Sequence, residues 1–266
     1  MKSVNSSTTE RQKVMQEGGE HLSHILNQIL SHISPGVTPL ELDRLAERLI
    51  KQAGGSPSFQ TVGDYRWATC ICVNDCVVHG IPTSTPLKEG DVVGVDVGIL
   101  YKGYHTDTSW TLRVQNSKLK TQNSKPDKID IFLETGEKAL SNAITQVKPG
   151  NRIGHISRAI QETIEEAGYS VVHELIGHGI GTKLHEEPEV PGVLRKPVSK
   201  TPLLREGMML AIEVIYTMGK PEVYIDDTDG WTIRTKDGTI SALFEKTVAV
   251  VRDGVLVLTE HASGNI

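Results

Sequence analysis

A chain of 266 residues, of which 38% are hydrophobic and 23% charged, is long enough for one large globular domain or for two fused halves. The formal net charge of −5 excludes the basic footprint expected of a protein that binds nucleic acid or an anionic membrane surface. The chain begins with polar residues and contains no apolar run of membrane-spanning length, so the sequence predicts a cytoplasmic protein.

The first predicted elements are two consecutive helices. A capping box with proline at the first helical position, Thr38-Pro39-Leu40-Glu41, begins the second of them. This helix is predicted to end near Gly54-Gly55, because glycine is common just beyond a helix C-terminus. The first helix is indicated by apolar residues at helical spacing, namely Val14, Leu22, Ile25, Leu26, Ile29 and Ile33.

A second helix pair is predicted later in the chain. Residues 131–147 and 156–167 read as helices, and the second ends at Gly168 as the earlier one ends at Gly54. The connection Lys148-Pro149-Gly150 also matches Ser34-Pro35-Gly36 of the first pair. Between the two regions, residues 115–127 are polar and charged, which predicts a mobile surface loop.

Strand-like segments follow each helix pair, which predicts an α+β fold. We predict one domain over residues 1–266, built from two similar halves at about 10–114 and 128–258, with helices covering one face of an antiparallel sheet. The match between the halves is weak residue by residue, so a chance similarity remains the alternative interpretation. The predicted strands lie at residues 70–79, 92–100 and 106–114, and then at 208–217 and 242–251.

The cysteines lie together in one strand-like run, at Cys70, Cys72 and Cys76. An odd number of cysteines this close in sequence does not form a disulfide framework. A zinc site would need a fourth ligand and a loop that bends around the ion. Buried, reduced thiols are therefore the favoured interpretation, with a zinc site as the alternative.

Four acidic residues lie in otherwise apolar strand-like segments, where an uncompensated charge costs several kcal/mol. If the first hairpin turns between Tyr101 and Lys102, Asp96 and Asp107 lie directly opposite each other, with Cβ atoms about 4.5–5.5 Å apart. Like charges at that spacing are destabilising, so we expect divalent metal ions to neutralise them. The four residues are Asp96, Asp107, Glu213 and Glu245.

Histidines accompany the acidic residues. His178 is flanked by glycines that permit close backbone approach, His185 follows it, and His79 ends the strand-like segment at residues 70–79. Two aspartates, two glutamates and one histidine form a donor set that suits two hard or borderline ions such as Mn, Co, Fe(II) or Zn.

These residues and their surrounding motifs come in the order and spacing of a known family. Over residues 10–258 the chain resembles the type I methionine aminopeptidases. The resemblance implies the duplicated pita-bread (creatinase/aminopeptidase) fold, which agrees with the predicted repeat. The motifs that carry it are Asn74-Asp75-Cys76-Val77-Val78-His79-Gly80-Ile81-Pro82, the pair Asp96 and Asp107, Gly177-His178-Gly179-Ile180-Gly181, Leu184-His185-Glu186-Glu187-Pro188, Ile212-Glu213 and Phe244-Glu245.

The resemblance also implies roles for individual residues. Asp107 and Glu245 would bridge two metal ions, Glu213 would also transfer a proton, and His79 and His185 would contact the substrate without binding metal. The remaining implied metal ligands are Asp96 and His178. The candidates for the pocket that binds the methionine side chain, chosen by position, are Phe59, Tyr65, Cys70, Leu184 and Trp231.

The implied activity is a metal-dependent removal of the initiator methionine from nascent proteins whose second residue is small. The implied protein is a cytoplasmic monomer, with the ribosome as a further candidate partner. Residues 59–67 replace the family's usual glycine- and aromatic-rich run, which puts the shape of the pocket in doubt. The alternatives are an X-Pro peptidase or dipeptidase of the same fold, a non-enzymatic binding relative, and a purely structural protein.

Overall fold

The computed structural model describes residues 4–115 and 126–260, with side chains from residue 10 onward. Its α-helices are α1 (Val4–His32), α2 (Pro39–Gln52), α3 (Lys128–Thr145) and α4 (Ile153–Glu166). Its strands are β1 (Ser56–Pro57), β2 (Thr69–Val73), β3 (Cys76–Val78), β4 (Val92–Tyr101), β5 (Tyr104–Arg113), β6 (Ser170–Val171), β7 (Ile176–Gly179), β8 (Glu186–Pro191), β9 (Met209–Thr217), β10 (Val223–Ile225), β11 (Ile233–Thr235), β12 (Ser241–Val251) and β13 (Gly254–Val257).

The predicted helix signals are present in the structure. At the start of α2 the backbone N–H of Thr38 donates to Glu41 Oε2 over 2.8 Å, and the N–H of Glu41 donates to Thr38 Oγ1 over 3.2 Å. The capping box is therefore confirmed. Beyond the ends of α2 and α4, Gly54 and Gly168 adopt φ values of +79° and +85°, which a residue with a side chain rarely adopts.

The long strands form one antiparallel sheet with the order β1-β4-β5-β12-β9-β7-β8, to which β2, β6 and β13 are added at the sides. A smaller sheet has the order β10-β11-β3. Helices α1 and α2 pack on β4 in one apolar cluster, and α3 and α4 pack on β9 and β12 in another. The division into halves at 10–114 and 128–258 stays a prediction, and most of the predicted loop, residues 116–125, lies outside the described residues.

No helix within the described ranges combines the length and the apolar character needed to cross a bilayer. The three cysteines, Cys70, Cys72 and Cys76, are free and buried, as the sequence predicts. None of them belongs to a group of three metal-ligating side chains in the described part of the chain.

Two strand predictions are wrong in detail. The predicted strand at residues 70–79 is divided into β2 and β3, because the chain turns at Asn74, where φ is +56°. The hairpin of β4 and β5 turns at Lys102-Gly103, so that Tyr101 pairs with Tyr104. The predicted register, which places the turn between Tyr101 and Lys102, is therefore displaced.

Threonine hydroxyls join the neighbouring strands β5 and β12 of the large sheet. The hydroxyl of Thr108 donates to the Glu245 carbonyl over 2.9 Å. The hydroxyl of Thr111 donates to the Leu243 carbonyl over 2.7 Å and accepts the Leu243 N–H over 3.0 Å. These bonds satisfy buried backbone groups that a regular strand ladder would otherwise pair.

Replacing Thr247 with valine should lower the free energy of unfolding by about 1–3 kcal/mol. Its buried hydroxyl accepts the Asp107 N–H over 2.9 Å and donates to the Asp107 carbonyl over 2.7 Å, and valine leaves both groups unpaired. Urea denaturation measures the change. Thr145→Val is the control and should change stability by less than about 0.5 kcal/mol, because the exposed Thr145 hydroxyl bonds only to its near chain neighbours Asn142 and Gln146. Equal stability of the two variants would contradict this account of the strand junction.

Candidate metal centre and substrate cavity

One row of side chains crosses five neighbouring strands. Cys70 pairs with Asp96, Asp96 with Ser109, Ser109 with Glu245, and Glu245 with Glu213. Directly opposed residues of a sheet project to the same face, so these five side chains share one face. Their chain neighbours on β4 and β12 face the helices, because side chains alternate along a strand.

A second row, two residues further along the strands, supplies the remaining candidates. Asp107 lies opposite Gly98, whose missing side chain leaves it space, since a Cβ there would lie 3.2 Å from Asp107 Oδ1. His178 of β7 pairs with Ala211 of β9, two residues before Glu213. One ligand atom each from Asp107, His178 and Glu245 lie within 4.8 Å of one another.

Asp96 and Asp107 are diagonal neighbours rather than opposed residues. Asp96 lies opposite Ser109, and Asp107 lies opposite Gly98. The predicted face-to-face pair is therefore wrong, although both carboxyls lie on the same face. The diagonal arrangement still brings them close enough for the charge of Asp107 to raise the pKa of Asp96.

Burial, and for three of the four carboxyls the charge of a neighbouring carboxylate as well, disfavours ionisation in this cluster. Burial raises the pKa of Asp107 to about 7. Burial, and then the charge of Asp107, raises the pKa of Glu213 and of Glu245 well above the usual range. Burial and the charges of Asp107 and Glu213 do the same to the pKa of Asp96. Without a metal ion, protons bound to the carboxyls reduce the repulsion between them.

His178 is oriented as a metal ligand would be. Its Nδ1 lies 2.8 Å from the carbonyl oxygen of Gly179, to which it donates, and this leaves Nε2 with a free lone pair. Nε2 lies 3.5 Å from Oε1 of Glu213. Burial lowers the pKa of His178 to about 4, so the imidazole is neutral at pH 7.

Buried oxygens without hydrogen-bond partners indicate that a cation would fit this cluster. Oδ1 of Asp96 and Oε1 of Glu245 are buried and lack a hydrogen-bond partner. The Ser109 hydroxyl, which lies in register between them, is also buried and unpartnered. Buried acceptors without donors are costly, and a divalent cation satisfies several at once. Carboxylates with one imidazole are donors that such ions accept.

Two further histidines stand beside the cluster. The ring of His185 meets that of His178 edge-on, with centroids 4.5 Å apart. His79 follows β3 with φ of +56°, a conformation uncommon for histidine, and lines the same cavity. Burial lowers the pKa of both rings, and the neighbouring His185 lowers that of His79 further, so both are predominantly neutral near pH 7.

A cavity of about 830 Å³ opens above the carboxyl cluster. Its wall contains every pocket residue proposed from the sequence, namely Phe59, Tyr65, Cys70, Leu184 and Trp231. The rings of Tyr65 and Trp231 meet edge-on at 5.2 Å. Sequence reasoning missed other lining residues, because no local pattern distinguishes them from ordinary core or surface positions; they include Val62, Val78, Ile176, Ile215, Glu174 and Glu187.

Residues 13–252 match the family described as metallopeptidase family M24. The chain belongs to metallopeptidase family M24. Methionine aminopeptidase 1 of Bacillus subtilis strain 168 is 40% identical over 246 residues, which are 92% of this chain and 95% of that protein. The crystal structure of methionine aminopeptidase from Thermotoga maritima has 34% identity and a TM-score of 0.87, over 95% of this chain and 97% of that one.

The similarity of this M24 chain to a prolidase from Pyrococcus furiosus is evidence for the fold alone. It has 23% identity and a TM-score of 0.74, and the match covers 95% of this chain and 64% of the prolidase. The predicted α+β pita-bread fold is confirmed by these structural similarities and by the antiparallel sheet with its two helix pairs. Membership of the family also confirms a metal-dependent peptidase, in agreement with the ligand atoms that converge around Asp107.

The metal-free M24 chain should lose stability as pH rises from 6.5 to 8.0. Asp107 and its carboxyl neighbours have raised pKa values, so in this window the folded state binds more protons than the unfolded state, and stability falls with rising pH. The histidines with lowered pKa values act in the opposite direction, but their contribution fades across the lower part of this window, because the imidazoles of the unfolded chain lose their protons around pH 6.5.

We expect a loss on the order of 1–3 kcal/mol, measured by urea denaturation of the chelated protein at both pH values. Saturating Mn should remove the loss, because bound cations replace the protons. Increasing stability of the metal-free protein across this window would contradict the assigned carboxyl cluster.

Proposed function

We propose that the protein is a methionine aminopeptidase, which hydrolyses the first peptide bond of polypeptides that begin with methionine followed by a small residue. The main support for the proposal is that four carboxyls and a neutral imidazole line one cavity, which is also lined by apolar and aromatic side chains. Relatives that match nearly the full chain bear this name. The proposed setting is the cytoplasm, where a monomer would act on nascent chains, with the ribosome as a candidate partner.

Two divalent ions, from among Co, Mn, Fe(II) and Zn, are the proposed cofactors. Their ligands would be Asp96, Asp107, His178, Glu213 and Glu245. Such ions, when bound, polarise the scissile carbonyl and lower the pKa of an attacking water. The unpartnered oxygens of Asp96 and Glu245 support this assignment, because each carboxyl has a buried oxygen without a protein donor.

Glu213 is the proposed proton acceptor. Its carboxyl lines the cavity, and 15% of its side chain is exposed, so a proton can pass between it and a substrate. Burial and Asp107 raise its pKa in the metal-free protein, and bound cations would lower that pKa, so that the carboxylate is free to accept a proton. It would take a proton from the attacking water and deliver it to the departing amine.

His185 and His79 are the proposed contacts to the reacting amide. The neutral imidazole of His185 can donate a hydrogen bond to the oxygen that becomes negative during attack. His79 would contact the nitrogen of the scissile amide. Both roles use a neutral imidazole, so neither places a net positive charge beside the proposed metal ions. The lowered pKa of both rings agrees with this.

Phe59, Tyr65, Cys70, Leu184 and Trp231 are the proposed pocket for the methionine side chain. Aromatic edges favour contact with a thioether sulfur. Burial raises the pKa of the Cys70 thiol well above its usual range, so the thiol is neutral and presents a small apolar surface. A cavity lined in this way suits a flexible, unbranched apolar side chain.

The test is release of the first residue from the peptides Met-Ala-Ser, Ala-Ala-Ser and Leu-Ala-Ser by protein of measured metal content. We expect release of methionine from the first peptide and little release from the others. A matched pair, Met-Ala-Ser and Met-Leu-Ser, tests the preference for a small second residue. Cleavage of Ala-Pro dipeptides without methionine release would instead indicate an X-Pro peptidase.

Replacing His79 with alanine should lower kcat by about 10²–10⁴-fold, the usual scale for a lost proton-transfer or oxyanion group. The bound metal should not change, because His79 is not a proposed ligand. Metal analysis of the purified variant and steady-state kinetics measure the two quantities. His24→Ala, on the exposed face of α1, is the control and should leave kcat unchanged. Loss of a metal equivalent in His79→Ala would show that the histidine is a ligand.

A further inference from the structure

The loop between β7 and β8, residues 180–185, carries His185 at its end. It begins two residues after His178, and Gly179 pairs with Glu186 at its base. The loop therefore connects the proposed metal ligand to the proposed oxyanion contact. The position of His185 depends on how the two ends of this loop are held.

Arg11 of α1 contacts both ends of the loop. Its Nη2 donates to the Ile180 carbonyl over 2.7 Å and lies 3.5 Å from Oε2 of Glu186. The other oxygen of Glu186 accepts hydrogen bonds of 3.0 Å from the Thr182 hydroxyl and from the Lys183 N–H. Glu186 thus closes the loop internally, and Arg11 ties the closed loop to the first helix.

Gly181 makes room for this contact. A Cβ at Gly181 would overlap Nη2 of Arg11, so only glycine allows the guanidinium to lie against the loop. On the other side, the N–H of His105 donates to the Gly181 carbonyl over 2.7 Å. The loop is therefore held between α1 and β5, and the side chain of Arg11 is 29% exposed.

We propose that Arg11 is a positioning residue that holds the 180–185 loop so that His185 meets the substrate in a productive orientation. This inference rests on the proposed function through the role of His185. The hydrogen bond to Ile180 is the main contact, because a partly exposed ion pair at 3.5 Å contributes little by itself. A displacement of about 1 Å at a catalytic group can reduce the rate by about 10²-fold.

A double-mutant cycle tests the proposal. Arg11→Ala should lower kcat for Met-Ala-Ser by about 10- to 100-fold, with bound metal and KM nearly unchanged. In a His185→Ala background the same change should lower kcat by less than about 2-fold, because the group that Arg11 positions is absent. Lys102→Ala is the matched control, since it removes another contact of α1 with the sheet, the 2.7 Å pair with Glu17, and should not change kcat.

Hydrogen exchange provides a readout that does not depend on activity. Amides of residues 180–186 should exchange faster in Arg11→Ala and not in Lys102→Ala. An equal loss of kcat with and without His185, or unchanged exchange in the loop, would overturn the proposal. If Arg11→Ala does not fold, Arg11→Lys, which keeps the charge and a hydrogen-bond donor group without the planar guanidinium, should show a smaller effect with the same dependence on His185. If the wild-type protein releases no methionine, the proposed function is contradicted. The proposed contact of Arg11 with the 180–185 loop is still tested by hydrogen exchange.

Discussion

Exhaustive dialysis against EDTA should abolish peptide hydrolysis, and Mn, Co or Fe(II) should restore it, whereas Mg alone should not. The cluster offers an imidazole, His178, beside four carboxyls, and this mixed donor set favours borderline ions over magnesium, which prefers oxygen ligands and retains its water. Metal analysis and initial rates with Met-Ala-Ser measure the restoration.

The same titration should raise the melting temperature. Ions that bind only the folded state stabilise it by roughly 2.7 kcal/mol at a hundredfold excess over the dissociation constant. His178→Ala is the matched variant: it should respond less to Mn and Co, since it retains only oxygen donors at the centre. Full activity of dialysed protein that contains no measurable metal would eliminate the metal-dependent mechanism.

The helices and long strands can be predicted from the sequence because their signals are local. The capping box at Thr38, the glycine after each second helix and the apolar runs of β4 and β12 all lie within the elements that they specify. The hairpin register is missed although a local signal exists. Lys102 and Gly103 have φ values of +47° and +86°, and a two-residue turn of this type favours glycine at its second position.

Sequence reasoning finds those residues of the candidate site whose type is unusual for the segment in which they lie. A carboxyl within an apolar strand is conspicuous, so Asp96 and Glu245 are readily found. Ser109 is not, because a serine in a strand is ordinary until the register places it between two carboxyls. Arg11 gives no signal at all, since its contact to Ile180 spans 169 residues. Such residues depend on tertiary contacts, which a local pattern does not contain.

Replacing Asp96 with asparagine should give a folded protein that is nearly inactive. Loss of a residue that only supports a ligand commonly costs 10–100-fold in metal affinity or activity, so loss of a proposed ligand should cost more than about 100-fold. The metal-free variant should melt no lower than the metal-free wild type. Calorimetry and initial rates measure the two effects, with Asp253→Asn, in the exposed β12–β13 turn, as the control for loss of one charge.

The reason for the unchanged stability lies in the pair that Asp96 forms with Asp107. In the metal-free protein burial and the charge of Asp107 raise the pKa of Asp96 well above its usual range, which favours the neutral carboxyl, and a neutral asparagine amide can take its place without adding charge. Asparagine would therefore serve the metal-free fold as well as aspartate does, so a role as metal ligand explains the carboxyl and a purely structural role does not. If Asp96→Asn instead unfolds the metal-free protein and leaves the stabilisation by Mn intact, Asp96 is a structural hydrogen-bonding residue. The metal would then depend on the remaining carboxyls, with Asp107 and Glu245 beside His178 as the core of the centre.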